Sequence, residues 1–311
     1  MVKTNIEHPP YLKRGDTVGI TCPAGYVSED RIRFAIETLK LWGFNVKVGT
    51  TVGNEHHYFS GTDGERLNDL QNMLDDPSVK AILMGRGGYG TSRIVDNLDW
   101  TKFKLNPKWI CGFSDITVLH SHLHATMQIP SLHGPMTGAF RPDTINSDHI
   151  QQCYAALTGG SLYYHTEPSK LNRLGSANGI LVGGNLAILS HLVGSKSDID
   201  TTEKILFIED IGEHLYKVDR MLLTLKRAGK LSKLRGLVVG GFTEMEDTER
   251  PFGKTVEEII RNAVEEYDYP VCFDFPVGHI EENHTLALGM WHKLNVTEQG
   301  GQLHLDHMSN A

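Results

Sequence analysis

Short apolar runs alternate with longer amphipathic segments through the first half of the chain. Four apolar runs have the length of buried strands, at 17–21, 44–48, 79–84 and 108–112. Between them, apolar residues that recur every three or four positions predict helices at 28–42, 64–74 and 91–97. Strands that alternate with helices at this spacing indicate βαβ units and a parallel sheet covered on both faces.

The pattern loosens after about residue 150. Strands are predicted at 204–208, 236–240, 271–273 and 294–297, and helices at 213–229 and 256–267. A glycine-containing break at 157–161 and a polar stretch at 167–172 precede these elements, as expected of a connection between domains. We therefore predict an N-terminal α/β domain with a Rossmann-like parallel sheet over 1–150. A linker follows over 151–175, and then a second, smaller α/β domain with more irregular β structure over 176–311.

Composition narrows the class of protein further. The 311 residues are 40% hydrophobic and 22% charged, which excludes disorder as the dominant state. The formal net charge of −8 indicates no general attraction to nucleic acid or anionic lipid. No apolar secretory core is visible near the N-terminus, no apolar run approaches the ~20 residues that cross a bilayer, and four widely spaced cysteines predict reduced thiols. We predict a cytoplasmic protein without membrane or nucleic-acid partners.

Candidate chemistry starts in the loops that follow strands, because parallel sheets bind ligands beyond the carboxyl ends of their strands. The loop Gly85–Gly90 follows the run at 79–84 and contains four glycines. Such a loop serves as a phosphate cradle, as an oxyanion-hole donor or as a plain tight turn. The spacing also matches G-x-G-x-x-G, but that fingerprint belongs after the first strand of a dinucleotide-binding unit, so the match is weak.

A second loop offers a nucleophile. The apolar strand at 109–111 runs into Gly112 and Phe113, and a helix is predicted directly after Ser114. A sharp strand-to-helix turn of this kind exposes a serine Oγ, and the amide of Asp115 then faces a developing oxyanion. The last glycine of G-x-S-x-G is absent, because Ile116 stands there. The alternative is that Ser114 or Asp115 only caps the helix.

A reactive serine needs a base and an acid that orients the base. His279 lies in a glycine-containing loop after the strand at 271–273, and Glu209 and Asp210 come at the end of an apolar strand. Alternation puts these two acids on opposite sides of the strand, so only one can meet a given histidine, and the pattern does not choose between them.

Other histidines offer a different chemistry. His120 and His124 share one face of the predicted helix after the candidate serine, with His122 between them, and could form a metal pair. No third ligand accompanies them, which favours an ordinary packed helix face.

Taken together, these loops resemble the LD-carboxypeptidase (muramoyltetrapeptide carboxypeptidase) family, to which the microcin C self-immunity hydrolases are related. The resemblance extends from residues 12–16 to the last predicted strands, and its motifs follow one another in the order that the family has. It is carried by the ordered set of Gly85–Gly90, Gly112–Thr117, Leu206–Asp210, Tyr216, Asp219, Arg220, Gly278, His279, Asn283 and Gly289.

The resemblance implies that Ser114 is the nucleophile, Glu209 the orienting acid and His279 the general base. It implies an oxyanion hole made by the backbone amides of Asp115 and Gly88, and no metal or other cofactor. The expected activity is release of the terminal D-alanine from murein tetrapeptides in cell-wall recycling, by a homodimer.

Two alternatives stay open from the sequence. The first is hydrolysis of a microcin C-type peptidyl-nucleotide, as in the immunity relatives. The second is a non-catalytic protein that binds a nucleotide or sugar phosphate at Gly85–Gly90.

Overall fold

A computed structural model describes residues 8–306 of the chain. Residues 1–7 and 307–311 lie outside the described residues. The first range belongs to the N-terminal segment in which no secretory core was predicted, and the second to the predicted C-terminal domain. The strands are β1 (Thr17–Thr21), β2 (Asn45–Val48), β3 (Val79–Met84), β4 (Trp109–Gly112), β5 (Ser131–His133), β6 (Tyr163–His165), β7 (Gly175–Asn185), β8 (Ile205–Ile211), β9 (Gly236–Thr243), β10 (Val271–Cys272), β11 (Leu286–Leu288), β12 (Trp291–Thr297) and β13 (Gly300–Leu305). The α-helices are α1 (Glu29–Leu41), α2 (Asp63–Asp75), α3 (Thr101–Leu105), α4 (Thr117–Met127), α5 (Asp148–Thr158), α6 (Leu186–Leu192), α7 (Leu215–Arg227) and α8 (Val256–Ala263).

The first sheet has the order β11-β5-β4-β3-β1-β2. Five of its strands are parallel, and β11 joins the edge in antiparallel pairing with β5. The carboxyl ends of β1, β3 and β4 therefore lie side by side. The loops after these three strands meet at one edge of the sheet, where ligands of such sheets bind.

The second sheet has the order β10-β9-β8-β7-β12-β13-β6. Strands β7 to β10 are parallel, and β12, β13 and β6 extend the sheet in antiparallel pairing. The antiparallel half is the irregular β structure expected of this part of the chain. The two-sheet α/β fold class predicted from the sequence is confirmed.

A shared core connects the two sheets. One cluster of buried side chains includes Val18 and Cys111 from the first sheet and Phe207 and Leu294 from the second. Burial of apolar surface is the dominant favourable term in folding. Because this core joins both sheets, it favours a fixed position of the carboxyl ends of one sheet's strands relative to those of the other. The domain boundaries 1–150, 151–175 and 176–311 stay a prediction. Within 151–175 lie the end of α5 and the whole of β6.

Most predicted elements are present with ends shifted by a few residues, but the helix predicted at 91–97 is wrong. Two one-turn 3₁₀ helices, Thr91–Arg93 and Val95–Asn97, occupy that segment. Ile94, between the two turns, has φ −118°, far from the α-helical value of about −63°, and this interrupts a continuous helix. None of the helices in residues 8–306 has the length and apolar character needed to span a membrane.

Candidate active site

The chain turns sharply between β4 and α4. Phe113 is still extended, but Ser114 has φ 64°, in the left-handed region, and a 3₁₀ turn over Ser114–Ile116 leads into α4. A positive φ is uncommon for a residue other than glycine and costs about 1–3 kcal/mol, so it persists only where the surroundings impose it. The sharp strand-to-helix turn predicted at Ser114 is therefore present.

Two glycines make room for this turn. A Cβ atom added to Gly87 would lie 3.0 Å from Ser114 Cβ and 3.3 Å from Ser114 Oγ. One added to Gly112 would lie 3.0 Å from Met84 Cβ. Because real Cβ atoms rarely come this close to other side chains, a larger residue at either position would force its neighbours to shift.

The side chain of Asp115 connects the same two segments. Its Oδ2 accepts the backbone N–H of Thr91 at 2.9 Å, directly after Gly85–Gly90, and burial raises the pKa of this carboxyl. Neither the 3₁₀ turn nor α4 has a side-chain cap at its N-terminus. Ser114 and Asp115 therefore do not act as helix caps, and Asp115 instead ties the serine turn to the neighbouring loop.

The Gly85–Gly90 loop is held on its other side by the turn after β1. Gly25 N–H donates to the carbonyl of Gly87 at 3.0 Å. Gly88 has φ 99°, and a Cβ atom there would lie 2.6 Å from the hydroxyl of Tyr58, which covers the loop. Sequence reasoning missed Tyr58. The only signal for it was an aromatic pair, Tyr58 and Phe59, in an otherwise polar loop.

An acid and a histidine meet at the edge of the second sheet. Glu209 lies in β8 and is fully buried, and its Oε2 accepts both the Nδ1–H of His279 at 2.6 Å and the backbone N–H of His279 at 3.2 Å. Burial by itself would lower the pKa of His279, but the hydrogen bond and the charge of Glu209 raise it above its ordinary value. A carboxylate in this position also orients the ring and leaves Nε2 free to take a proton.

Asp210 points to the opposite side of β8. Its oxygens accept Asn185 Nδ2–H at 2.8 Å and the backbone N–H of Ala187 at 2.9 Å, in the first turn of α6. Burial raises the pKa of Asp210 to about 6. The sequence left two acids to choose from, and the structure brings Glu209, not Asp210, to His279.

The serine and histidine loops face each other through Phe113. Its ring lies 4.8 Å from that of His279, centroid to centroid. No hydrogen bond joins Ser114 Oγ to the imidazole within residues 8–306. Catalytic hydrogen bonds are often longer in ligand-free enzymes and shorten when substrate binds. The structure thus joins Glu209 to His279 directly and brings both to the turn that carries Ser114.

A second histidine is buried beside this pair. The ring of His133 lies 5.9 Å from that of Phe113 and 4.9 Å from that of Phe207. Burial holds the pKa of His133 well below its ordinary value, so it is neutral near pH 7. It therefore places no competing positive charge near the imidazole of His279.

The alternative metal pair on α4 is not supported by the contacts of its members. His120 uses both ring nitrogens in hydrogen bonds, with Ser131 Oγ and with the carbonyl of Gly112, each at 2.8 Å. Burial lowers the pKa of His120 to about 4. No group of three or more His, Cys, Asp or Glu side chains in the described part of the chain is arranged to hold a metal ion. The packed helix face favoured from the sequence is what the structure contains.

Comparison with known protein families identifies both halves of the chain. Residues 18–134 match the LD-carboxypeptidase N-terminal domain, and residues 178–294 match the LD-carboxypeptidase C-terminal domain. The chain belongs to the LD-carboxypeptidase family. A Bacillus subtilis (strain 168) protein named "Probable murein peptide carboxypeptidase" is 35% identical over 298 residues, which cover 94% of this chain and 92% of the relative.

Solved structures of similar fold include two kinds of protein. The muramoyltetrapeptide carboxypeptidase from Oxalobacter formigenes is 31% identical, with a TM-score of 0.83 over 93% of this chain and 98% of that one. The microcin C7 self immunity protein MccF is 22% identical, with a TM-score of 0.84 over 96% of this chain and 98% of that one. The second likeness shows a shared fold. The family resemblance drawn from the sequence is confirmed, and it supports a hydrolase with a carboxypeptidase role in murein peptide processing.

Proposed function

We propose that this LD-carboxypeptidase is a serine-type enzyme that releases the terminal D-alanine from murein tetrapeptides. One observation carries the proposal: the 2.6 Å hydrogen bond between buried Glu209 and His279 faces a strand-to-helix turn with Ser114 at φ 64°. An acid, an imidazole and a half-buried serine in this relation are the components of nucleophilic acyl transfer. The names of the relatives from Bacillus subtilis and Oxalobacter formigenes support the choice of substrate.

In the first step, Ser114 Oγ attacks the carbonyl carbon between the third residue of the peptide and its terminal D-alanine. His279 Nε2 takes the hydroxyl proton as the bond forms. The negative charge of Glu209 stabilises the resulting imidazolium, as the raised pKa of His279 already indicates. The imidazolium then gives its proton to the amine of D-alanine, the C–N bond breaks, and an acyl-serine remains.

The oxyanion of the tetrahedral intermediate would be held by the backbone N–H groups of Asp115 and Gly88. The carbonyl of Gly87 points to Gly25, in the turn after β1. A trans peptide directs its N–H opposite to its carbonyl, and residues 8–306 contain no cis peptide. The N–H of Gly88 therefore points away from β1, toward the side of β3 on which β4 and Ser114 lie. This direction supports Gly88 as a donor.

Deacylation repeats the chemistry with water as the nucleophile. His279 takes a proton from water, the hydroxide attacks the acyl carbon, and the proton returns to Ser114 Oγ as the ester bond breaks. The products are the tripeptide, with a new carboxylate, and the free serine.

The decisive test is Ser114→Ala, with Ser121→Ala as a matched control. Loss of the nucleophile is expected to lower the rate of D-alanine release from a murein tetrapeptide by up to about 10⁶-fold, with the melting temperature unchanged. Ser121 is buried on α4, its hydroxyl has no partner within the described residues, and its loss is expected to leave the rate unchanged. Full activity of Ser114→Ala would refute the proposal.

The peptidyl-nucleotide alternative shares the same serine chemistry, and so it is separated by substrate. We expect the murein tetrapeptide to be hydrolysed with a much higher kcat/KM than a peptidyl sulfamoyl nucleoside. The reverse order would assign the chain to the immunity type. The non-catalytic alternative is separated by covalent labelling, because a nucleotide-binding protein has no reason to react at Ser114 with a fluorophosphonate.

We also propose that the enzyme acts in the cytoplasm in cell-wall recycling and forms a homodimer, as the family resemblance implies. Sedimentation equilibrium of the purified protein tests the dimer. Cell fractionation tests the location.

A further inference from the structure

The last residue of β9 lies against the loop that carries His279. The hydroxyl of Thr243 donates a hydrogen bond to the backbone carbonyl of His279 at 2.9 Å. The carbonyl of Thr243 accepts the N–H of Gly212 at 3.0 Å, and its Cα pairs with Ile211 at the end of β8. Thr243 is thus held by the strand that also carries the buried acid.

The contact with Glu209 does not fix the orientation of His279 completely. A single oxygen, Glu209 Oε2, accepts both the backbone N–H and the ring N–H of this histidine. These two hydrogen bonds fix the distances from the backbone nitrogen and the ring nitrogen of His279 to one oxygen atom. The residue can still rotate about that oxygen. The Thr243 hydroxyl binds at the other end of the residue, on its carbonyl, and so limits that rotation.

Other contacts fix the residues before His279. Asn283 Oδ1 accepts the N–H of Gly278 at 2.9 Å, and the N–H of Gly241 donates to the carbonyl of Val277 at 2.9 Å. These bonds hold the entry to the loop. At the exit from His279, the N–H of Ile280 donates to the carbonyl of Gly278 at 2.9 Å, a bond within the loop, and the Thr243 hydroxyl ties the carbonyl of His279 to β9.

We propose that Thr243 is a positioning residue, whose hydroxyl holds the main chain of His279 so that the imidazole stays aligned between Glu209 and Ser114. The inference rests on the proposed serine mechanism and adds to it a residue that touches neither substrate nor the reacting atoms. Sequence reasoning gave Thr243 no role, because it is an ordinary β-branched residue at the end of an ordinary strand.

The environment of His279 makes its alignment measurable. Glu209 and Asp210 on β8 and Glu244 after β9 raise its pKa, while His133 on β5 is buried nearby and neutral. If the bond to Glu209 lengthens, the pKa of His279 falls, because burial then outweighs the weaker acceptor. A merely structural role for Thr243 would leave this pKa unchanged.

The test compares Thr243→Val with Thr243→Ser in the full-length enzyme. Valine keeps the shape of threonine and removes the donor, whereas serine keeps the donor. Three readouts are measured: the rate of covalent labelling of Ser114 by a fluorophosphonate, kcat and KM for a murein tetrapeptide, and the pH dependence of kcat/KM.

We expect Thr243→Val to lower the labelling rate and kcat by tenfold or more, since displacement of a catalytic group by about 1 Å can cost ~10²-fold. KM should change less than twofold, and the acidic limb of kcat/KM should move to lower pH. Thr243→Ser should keep the wild-type rate and profile.

Equal labelling rates for Thr243→Val and wild type would overturn the inference while leaving the serine mechanism intact. An equal loss in the valine and serine variants, with a lower melting temperature in both, would also overturn it, because the hydroxyl would then not be the cause. If the wild-type protein is not labelled at Ser114 at all, the proposed function fails, and this inference fails with it.

Discussion

The two halves of the candidate active site are built by different means. On the first sheet, the serine turn is shaped by backbone conformation, with Ser114 at φ 64°, Gly88 at φ 99° and Gly87 packed against the serine. On the second sheet, His279 is oriented by side chains, with Glu209 on its N–H groups and Thr243 on its carbonyl.

This difference predicts how each half responds to mutation. A backbone-built half is sensitive to the size of any added side chain, because nothing can move aside without moving a strand end. A half held by side-chain hydrogen bonds is sensitive, in addition, to the loss of single donors and acceptors. The first half should therefore fail by steric conflict, whereas in the second half the loss of one polar atom is enough.

After loss of the serine itself, the largest effect is expected at the acid of the second sheet. Glu209→Gln keeps the shape but leaves an amide where His279 needs an anion, and we expect kcat to fall by about 10⁴-fold, as for loss of the acid in other triads. Asp210→Asn is the matched control one residue away. Since Asp210 contacts Asn185 and Ala187 instead of His279, we expect its kcat to fall less than about tenfold.

Steady-state kinetics on a murein tetrapeptide measures both variants. If Asp210→Asn proved as inactive as Glu209→Gln, the assignment of the acid would be wrong.

A somewhat smaller effect is expected from one methyl group on the first sheet. Gly87→Ala puts a Cβ atom 3.0 Å from Ser114 Cβ and 3.3 Å from the Phe113 carbonyl, so the serine must shift. We expect kcat to fall by about 10²-fold, since small misplacements of reacting groups have effects of this order. Gly64→Ala is the control, because an added Cβ there meets nothing within 4 Å. Wild-type kcat in Gly87→Ala would show that the serine turn is not fixed by backbone packing.

The next effect in size is a shift in the pH dependence of kcat/KM. His279 must be neutral to accept a proton, and Glu209 raises its pKa, so kcat/KM should rise with pH through a midpoint above 6.5, the ordinary value for histidine. In Glu209→Gln the burial of His279 remains while the anion is lost, so the midpoint should move below 6.5. NMR titration of the His279 ring measures both proteins. A midpoint that stays in place would mean that Glu209 does not control this histidine.

The smallest expected effect is that of a metal chelator. His120 has both ring nitrogens in hydrogen bonds, and so offers no free lone pair to a metal shared with His124. We expect dialysis against EDTA to leave the rate of D-alanine release unchanged. If EDTA abolished the activity and zinc restored it, the hypothesis of a metal site on the histidines of α4 would be supported.

Local pattern was enough to find the parts of the fold and most parts of the candidate site. The strands at 17–21 and 79–84 are present at their predicted bounds. Gly112, at the end of a predicted strand, indicated a sharp turn at Ser114. One element was predicted wrongly. The segment predicted as a helix at 91–97 forms two 3₁₀ turns, and the Thr91 amide at its start donates to Asp115, a contact distant in sequence that local periodicity does not report.

The chain order alone could say that a serine, two acids and a histidine follow strands, since strand ends are visible as the limits of apolar runs. It could not say which acid faces the histidine, nor that Thr243 holds it. Those choices depend on the direction of one strand face and on the pairing of β8 with β9, which bring together residues 31 to 70 positions apart. Periodicity reports what happens within a strand or helix, whereas contacts between them exist only once the sheets have packed.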